Sequence, residues 1–352
     1  MLQPMATFKL MIQPRLLLAS LALALAASQS AVAQTGYKIV SHIKIGGAGG
    51  WDYLTTDAKA RRLYVSHGTE VDVIDLDTEK LVGKIANTKG VHGIAIAPEL
   101  NLGFTSNGGE GTVTKFSLDT LKEITKLKAG ENPDAILYEP SNKRILAFNG
   151  RSKDVTVIDA EDNDIEGTIP LGGKPEFAVT DGKGTVWVNI EDKNEVVQFD
   201  AKTMQIKNRW PVAPGEEPSA LALDKEHHRL FIGCGGNNMM IVMDAQTGKV
   251  VAHLPIGKGV DADSFDPSTK MVFSSQGNGT VTVIHEDSAD KYSVVETLKT
   301  APRARTMTLD AKTHKLYLPT AEFGPAPEKT ADNPRPRPAI KPDTFEIVVL
   351  AK

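Results

Sequence analysis

The sequence predicts an all-β fold, a seven-bladed β-propeller made of four-stranded blades. A short β-rich phrase reads VDVIDLDT at 71–78 and returns at intervals of 41 to 44 residues. Its further copies begin at Val113, Val155, Val196, Met240 and Val281. A degenerate seventh copy begins at Phe345, after a longer step of 64 residues. Short β runs repeated with a period of about 40 to 45 residues are typical of propeller blades.

Each repeat divides into four strands, here called a to d from the centre of the ring outwards. In the first repeat we expect strand a at 51–57, strand b at 62–67, strand c at 71–76 and strand d at 81–85. The segments between these runs carry Gly, Asp, Asn and Lys, which are residues of turns. The same division fits every later repeat, so one domain of seven blades accounts for nearly the whole chain.

The two ends of the chain are predicted to close the ring together. The chain ends on strand c of the seventh blade, which leaves that blade without a fourth strand. Residues 37–45 resemble a strand d, and we expect them to pair outside 345–350. Closure of this kind leaves a propeller with only short, protected strand edges.

The long last repeat contains a proline-rich insertion at about 321–343, between strands b and c. Proline at this density favours extended polyproline-II geometry. Two interpretations stay open: a solvated loop, or a flap over the central funnel.

The first 33 residues have the pattern of a cleavable signal peptide. Lys9 and Arg15 precede an apolar run at 16–27, and 31–33 reads Ala-Val-Ala, the small-x-small form of a cleavage site. A membrane anchor is the alternative, but the apolar run is shorter than the ~20 residues that a span needs. We therefore expect a mature domain at 34–352, periplasmic or secreted, with no transmembrane span.

Charge and cysteine content restrict the partners of the chain. It carries 40 Lys and Arg against 44 Asp and Glu, and removal of the predicted signal peptide makes the balance more acidic. A mildly acidic protein has no general attraction to phosphate backbones, which argues against nucleic acid without excluding a local basic patch. The single cysteine, Cys234, rules out an intrachain disulfide.

Chemistry-bearing side chains concentrate in the loops of one predicted face. The d–a and b–c connections emerge together and surround the axial funnel, where concave sites with converging polar groups are expected. The opposite loops contain interchangeable turn residues. The candidate ligand-binding residues are Asp52, His67, His92, Asp134, Glu176, Glu191, Glu217, Asp261, Arg303 and Arg305.

Two subsets of these candidates suggest particular ligands. His67 and His92, with carboxylates nearby, could bind a divalent metal, although their spacing fits no compact ligand motif. Arg303 and Arg305 could clamp a carboxylate or phosphate, or simply pair with rim carboxylates. No nucleophile elbow, haem-attachment motif or dinucleotide fingerprint is present, so the catalytic residues stay unknown and a divalent metal is the one cofactor that the sequence suggests.

The repeated LYV…VxVIDxxTxKVV unit resembles the YVTN-repeat β-propellers, in particular the exported bacterial YncE-like proteins. The resemblance covers about residues 37–350. It implies the propeller fold. It leaves function open, because such repeats occur in ligand-binding, surface and nucleic-acid-associated proteins and beside redox or lactone-processing enzymes.

The sequence therefore favours an exported propeller that binds a small polar or cationic ligand, or a protein partner, in its axial funnel without catalysis. The alternative is a metal-assisted hydrolase or lactonase that uses the same rim with a bound divalent ion and a carboxylate base. A second alternative is a scaffold that binds nucleic acid or protein through one face of the disc.

Overall fold

The computed structural model describes residues 1, 35–328, 330, 336 and 338–352. The predicted signal peptide, with its cleavage site before Gln34, lies outside the described residues except for Met1. Within the described part of the chain, no helix is long and apolar enough to cross a membrane.

The described residues form twenty-eight β-strands, and seven sheets of four antiparallel strands account for all of them. The first strand of the described residues is β1 (Lys38–Lys44). The first blade is β2 (Leu54–Asp57), β3 (Arg62–His67), β4 (Glu70–Asp75) and β5 (Lys80–Ile85). The second is β6 (Val91–Ala97), β7 (Leu102–Asn107), β8 (Thr112–Ser117) and β9 (Glu123–Lys128). The third is β10 (Pro133–Glu139), β11 (Arg144–Asn149), β12 (Asp154–Asp159) and β13 (Ile165–Pro170).

The remaining blades repeat the pattern. The fourth is β14 (Pro175–Thr180), β15 (Thr185–Ile190), β16 (Glu195–Asp200) and β17 (Gln205–Pro211). The fifth is β18 (Pro218–Asp224), β19 (Arg229–Cys234), β20 (Met239–Asp244) and β21 (Val250–Pro255). The sixth is β22 (Val260–Asp266), β23 (Met271–Gln276), β24 (Thr280–Ser288) and β25 (Lys291–Lys299). The seventh contains β26 (Thr308–Asp310), β27 (Lys315–Thr320) and β28 (Glu346–Ala351). Two 3₁₀ turns occupy Pro98–Leu100 and Glu191–Lys193.

The first strand of each blade lies at the centre of the ring. Strands β2, β6, β10, β14, β18 and β22 each contact the next in this order, and β26 contacts both β22 and β2. The contacts therefore close into a circle of seven strands. This confirms the predicted all-β, seven-bladed propeller.

The last blade is completed by the N-terminal strand. β1 pairs antiparallel with β28, with Ile39 opposite Leu350 and Ile43 opposite Ile347. The sheet order is β1, β28, β27, β26, so β1 is the outermost strand of the seventh blade. The two ends of the domain thus share one hydrogen-bonded sheet.

The hydrophobic core lies between the facing surfaces of neighbouring blades. One cluster combines Tyr64, Val73 and Ile85 of the first blade with Ile94 and Phe116 of the second. Alternation along each strand places one set of apolar side chains against each neighbouring blade. Blade-to-blade burial therefore holds each inner strand, and the loop before it, at a fixed position on the rim.

The described part of the proline-rich insertion is anchored at its two ends. Phe323 and Ile340 form an isolated antiparallel bridge, and the Phe323 ring lies 6.0 Å from that of Trp51. Residues 325–328 are exposed between these anchors. The described part of the insertion thus combines an exposed stretch at 325–328 with a base that packs on the rim.

Candidate functional site

One equivalent position in all seven blades places a side chain around the axis. The pairing of each inner strand with its neighbour fixes this register: Leu54 opposes Val65 as Ile94 opposes Thr105, so Asp52 and His92 are equivalent. The same pairing rule applies in the other five blades. The resulting polar ring consists of Asp52, His92, Asp134, Glu176, Ser219, Asp261 and Arg305.

Neighbouring members of the polar ring contact each other. His92 Nδ1 donates to Asp52 Oδ2 at 2.7 Å and lies 3.7 Å from Asp134 Oδ1. On the other side, Arg305 pairs with Asp261 and reaches to 3.6 Å from Asp52 Oδ1. The chain of contacts from Asp261 through Arg305, Asp52 and His92 to Asp134 thus spans five consecutive positions of the circle.

A lysine and a second glutamate extend the ring outwards. Lys174, in the loop before β14, pairs with Glu176 and lies 2.5 Å from Glu191 Oε2. Burial lowers the pKa of Lys174, but the two carboxylates outweigh this effect and raise it, so the ammonium stays charged. Sequence reasoning missed Lys174. Its position directly before Pro175 and Glu176, in a loop that enters an inner strand, indicates a place on the same rim.

Two aromatic rings form the floor below the polar ring. Tyr53 and Phe177 occupy the next equivalent position in the first and fourth blades, and their ring centroids are 5.4 Å apart. Blades one and four are not neighbours, so this contact crosses the axis. The other five blades place small residues at this level: Gly93, Ala135, Ala220, Ala262 and Thr306. We call the space inside the polar ring, with these two rings one residue below it, the pit.

Two acids of the polar ring, Asp134 and Glu176, are difficult to ionise. Burial and the charge of Asp52 raise the pKa of Asp134 to about 6. Burial and the charge of Asp134 raise the pKa of Glu176 to about 8. Burial lowers the pKa of His92, but its hydrogen bond to Asp52 and the charge of Asp134 outweigh burial and raise it above its ordinary value. Four carboxylates thus share a site with one histidine and one ring arginine.

The phenol of Tyr53 stays protonated beneath these carboxylates. Burial raises its pKa well above the ordinary value, and the charges of Asp134, Asp52 and Glu176 add to the effect. The hydroxyl of Tyr53 therefore remains a hydrogen-bond donor close to these carboxylates.

A metal could be held on one side of the ring. One nitrogen of His92 and one oxygen each of Asp52 and Asp134 lie within 4.8 Å of one another. A second group of this kind combines His67, Glu70 and Asp72, but Lys84 Nζ lies 2.6 Å from Glu70 Oε1 and 3.2 Å from Asp72 Oδ1. Since that ammonium already neutralises the carboxylates, the Asp52–His92–Asp134 group is the better cation site.

The structure separates three predicted candidates from the polar ring. His67 falls in a different group from His92; it is buried, donates to Asp72 at 2.8 Å and packs on Phe345 at 4.3 Å. Glu217 is exposed in a turn with φ 52°. Ser219, two residues further along, occupies the position of the polar ring in this blade. Arg303 lies outside the ring, 4.8 Å from the centroid of Phe323.

Cys234 is not a member of the polar ring either. Its thiol is buried, and burial with the charge of Asp263 raises its pKa to about 12. A protonated, enclosed thiol is a poor nucleophile and a poor metal ligand.

Comparison with known proteins adds no family to this description. No protein-family model matches the chain, and no curated protein sequence matches it.

Proposed function

We propose that this protein is a binding propeller whose axial pit takes a small organic cation. The observation that carries the proposal is the excess of acids in the polar ring. Asp52, Asp134, Glu176 and Asp261 outnumber the basic groups that contact them, which are His92, Arg305 and Lys174. Concave sites in which one sign of charge predominates concentrate ligands of the opposite sign.

The raised pKa values explain why a cation would bind. Asp134 and Glu176 ionise only at about pH 6 and about pH 8, because each is buried beside another carboxylate. A positive charge placed between them replaces this repulsion with attraction. Cation binding would therefore relieve the electrostatic repulsion between Asp134 and Glu176.

The aromatic floor favours an ammonium group over a bare ion. The faces of Tyr53 and Phe177 attract a desolvated cation by about 0.5 to 2 kcal/mol. Alkylated ammonium ions are weakly hydrated and fit such aromatic surfaces. The carboxylates supply charge and the rings supply contact, so a small alkylammonium compound satisfies both.

A metal-assisted hydrolase is the second candidate, and the Asp52–His92–Asp134 group favours it. These three residues would hold a divalent ion, which would supply an activated water. Glu176 is the carboxylate placed to act as base, since its pKa of about 8 suits proton transfer near neutral pH.

The proposal includes the setting that the sequence predicts. Residues 1–33 would be removed on export, and the mature chain of YVTN-repeat type would act in the periplasm or outside the cell. Binding of a protein or of nucleic acid through a face of the disc is the remaining alternative. A steep loss of affinity with added salt would identify nucleic acid.

Calorimetric titration with tetramethylammonium tests the cation proposal, with tert-butanol as a neutral probe of similar shape. We expect tetramethylammonium alone to bind at pH 8 and its affinity to fall about 10-fold or more in Asp134→Asn and in Glu176→Gln. Glu123→Gln changes an exposed glutamate on an outer strand and is the matched control. Equal binding of both probes, or no effect of the pit variants, would contradict the proposal.

Metal analysis separates the second candidate. Stoichiometric metal in the purified protein, with a melting temperature that falls on chelation and recovers with one particular divalent ion, would favour the hydrolase. Lactones and phosphoesters are then the first substrates to assay. Metal loss in His92→Ala, with none in His67→Ala, would locate the ion in the polar ring.

A further inference from the structure

A second cavity lies beside the polar ring, between the rim and the insertion. It has a volume of about 170 Å³. Phe323, Pro338 and Ile340 form its wall on the insertion side. Gly50, Trp51, Arg303 and Arg305 form its wall on the rim side.

The aromatic wall of this cavity is held in place from behind. Trp51 stacks on the buried ring of Phe345 with centroids 5.2 Å apart, and the tilted ring of Phe323 lies 6.0 Å from it. The bridge between Phe323 and Ile340 fixes the insertion here. A flat apolar surface is therefore formed before any ligand arrives, which lowers the entropic cost of binding.

The two arginines of the cavity differ in their partners. Arg305 pairs with Asp261 and lies close to Asp52, so two carboxylates share its charge. Arg303 has no ion-pair partner in the described part of the chain, and its guanidinium lies over the Phe323 ring at 4.8 Å. A half-buried guanidinium without a counter-ion is a ready partner for an anion, and it binds carboxylates in a two-pronged geometry.

We propose that this cavity binds a small organic anion, a single planar ring that carries one carboxylate. The ring would lie on Trp51 and the carboxylate would pair with Arg303. A cavity of about 170 Å³ is smaller than the ~300 to 1,000 Å³ of pockets for drug-sized ligands, so one ring is the size it accepts. The site is distinct from the proposed cation pit, and its occupation requires no ligand there.

Calorimetric titration of the purified protein with benzoate tests this site. Benzyl alcohol has the ring without the charge, and acetate has the charge without the ring. We expect benzoate to bind and each comparator to bind at least about 10-fold more weakly, because each lacks one of the two contacts. Failure of benzoate to bind, or equal affinity for benzyl alcohol, would overturn the proposal.

Two variants and one control locate the bound benzoate. Arg303 has φ 63°, a left-handed conformation that Asn tolerates, so Arg303→Asn removes the charge with little backbone strain. We expect it to weaken benzoate about 10-fold or more. Arg151→Asn changes an exposed arginine on another loop and should leave affinity unchanged. Wild-type affinity in a folded Arg303→Asn variant would contradict the assignment.

Gly50 offers a test that leaves both arginines intact. A Cβ built at Gly50 meets no atom within 4 Å, and the residue does not have positive φ. Gly50→Leu should therefore fold, fill the cavity and abolish benzoate binding. Asp134→Asn in the cation pit should leave benzoate affinity unchanged. The tetramethylammonium and benzoate titrations therefore test the two proposed sites independently. Benzoate binding that survives Gly50→Leu, or that is lost in Asp134→Asn, would contradict a separate cavity site.

Discussion

The rings of Tyr53 and Phe177 meet across the propeller axis with centroids 5.4 Å apart, although they belong to the first and fourth blades. This pair places an aromatic contact at the axis, one residue below the polar ring. The polar ring directly above supplies negative charge. The depth and the ligand preference of the pit therefore depend on two residues that are more than 120 positions apart in the chain.

Phe177→Leu tests the contribution of the floor. Leucine keeps an apolar side chain at this level but removes the aromatic face. We expect tetramethylammonium to bind about 2- to 30-fold more weakly, which corresponds to the ~0.5 to 2 kcal/mol of a cation–π contact. Calorimetry at pH 8 measures this change, and a melting temperature close to that of the wild type shows that the floor is otherwise intact. Unchanged affinity would leave the carboxylates as the sole basis of binding.

Asp52→Asn tests the hydrogen bond between Asp52 of the first blade and His92 of the second. The hydrogen bond from His92 Nδ1 to Asp52 is the largest contribution that raises the pKa of His92 against burial. Its loss should lower that pKa. An NMR titration of the imidazole signals follows the change. Asp119→Asn, on an exposed turn away from the polar ring, is the control that should not move it. A His92 pKa that stays in place in Asp52→Asn would show that Asp134 alone holds the charge.

The fold could be predicted closely because strand alternation and repeat spacing are local properties. Strand b of the first blade was expected at 62–67 and is found at Arg62–His67. Strand a was expected from Trp51 but begins at Leu54, since the preceding residues leave the sheet to form the rim. Local pattern therefore predicts the blades but places the starts of the inner strands less well.

The pit could be predicted only in part. Asp52, His92, Asp134, Glu176, Asp261 and Arg305 were all candidates, and the structure brings them to one level of the ring. Charge alone favours Glu217 over Ser219, whereas the strand register assigns the ring position to Ser219. In the five blades that form this pair, the ring position follows the residue that pairs with the end of strand b, as Pro218 does with Cys234. The contact of Tyr53 with Phe177 depends on ring geometry, which no local pattern reveals.

Ammonium affinity should rise with pH. Asp134 has a pKa of about 6 and Glu176 of about 8, so both are largely protonated at pH 5 and ionised at pH 9. Only the ionised forms attract a cation, and binding should release protons. Titrations from pH 5 to 9 in buffers of different ionisation enthalpy measure both effects. In Glu176→Gln the rise above pH 7 should disappear while the lower part remains. A flat profile in the wild type would contradict these assignments.

Arg305→Gln should tighten cation binding. The guanidinium lowers the pKa of both Asp134 and His92, and it lies 3.6 Å from Asp52 Oδ1. Its removal takes a positive charge from the wall of the pit, so an incoming cation meets less repulsion. We expect about 10-fold tighter binding of tetramethylammonium at pH 9, where the acids remain ionised. Weaker binding in this variant would mean that Arg305 acts mainly by positioning Asp52 and Asp261.

Asp263 is the one carboxylate placed where the other six blades have apolar residues. The equivalent positions hold Leu54, Ile94, Ile136, Ala178, Leu221 and Met307. Asp263 is 4% exposed, and no donor meets hydrogen-bond geometry on either of its oxygens. Burial raises its pKa to about 7, although the nearby Ser274 hydroxyl and Gly233 amide act in the opposite direction. The ionised form is therefore costly in the folded protein.

Asp263→Asn should remove a pH-dependent loss of stability. A carboxyl whose pKa rises from 3.8 to about 7 on folding stabilises the protein fully below about pH 4, and this contribution is lost as the pH rises to 7. The loss is on the order of 4 kcal/mol, at about 1.4 kcal/mol for each pKa unit. Chemical denaturation should therefore show the variant more stable than the wild type at pH 8, with a smaller difference at pH 5.

Asp266, three residues further along the same strand, provides the opposite case as a control. Burial raises the pKa of Asp266, but hydrogen bonds from Ser268, Thr269 and His314 outweigh it and lower the pKa. The stabilisation from Asp266 is present above its unfolded pKa, so Asp266→Asn should destabilise the protein at pH 8. If Asp263→Asn also destabilises it there, the Asp263 carboxylate has a partner that offsets the cost of its burial.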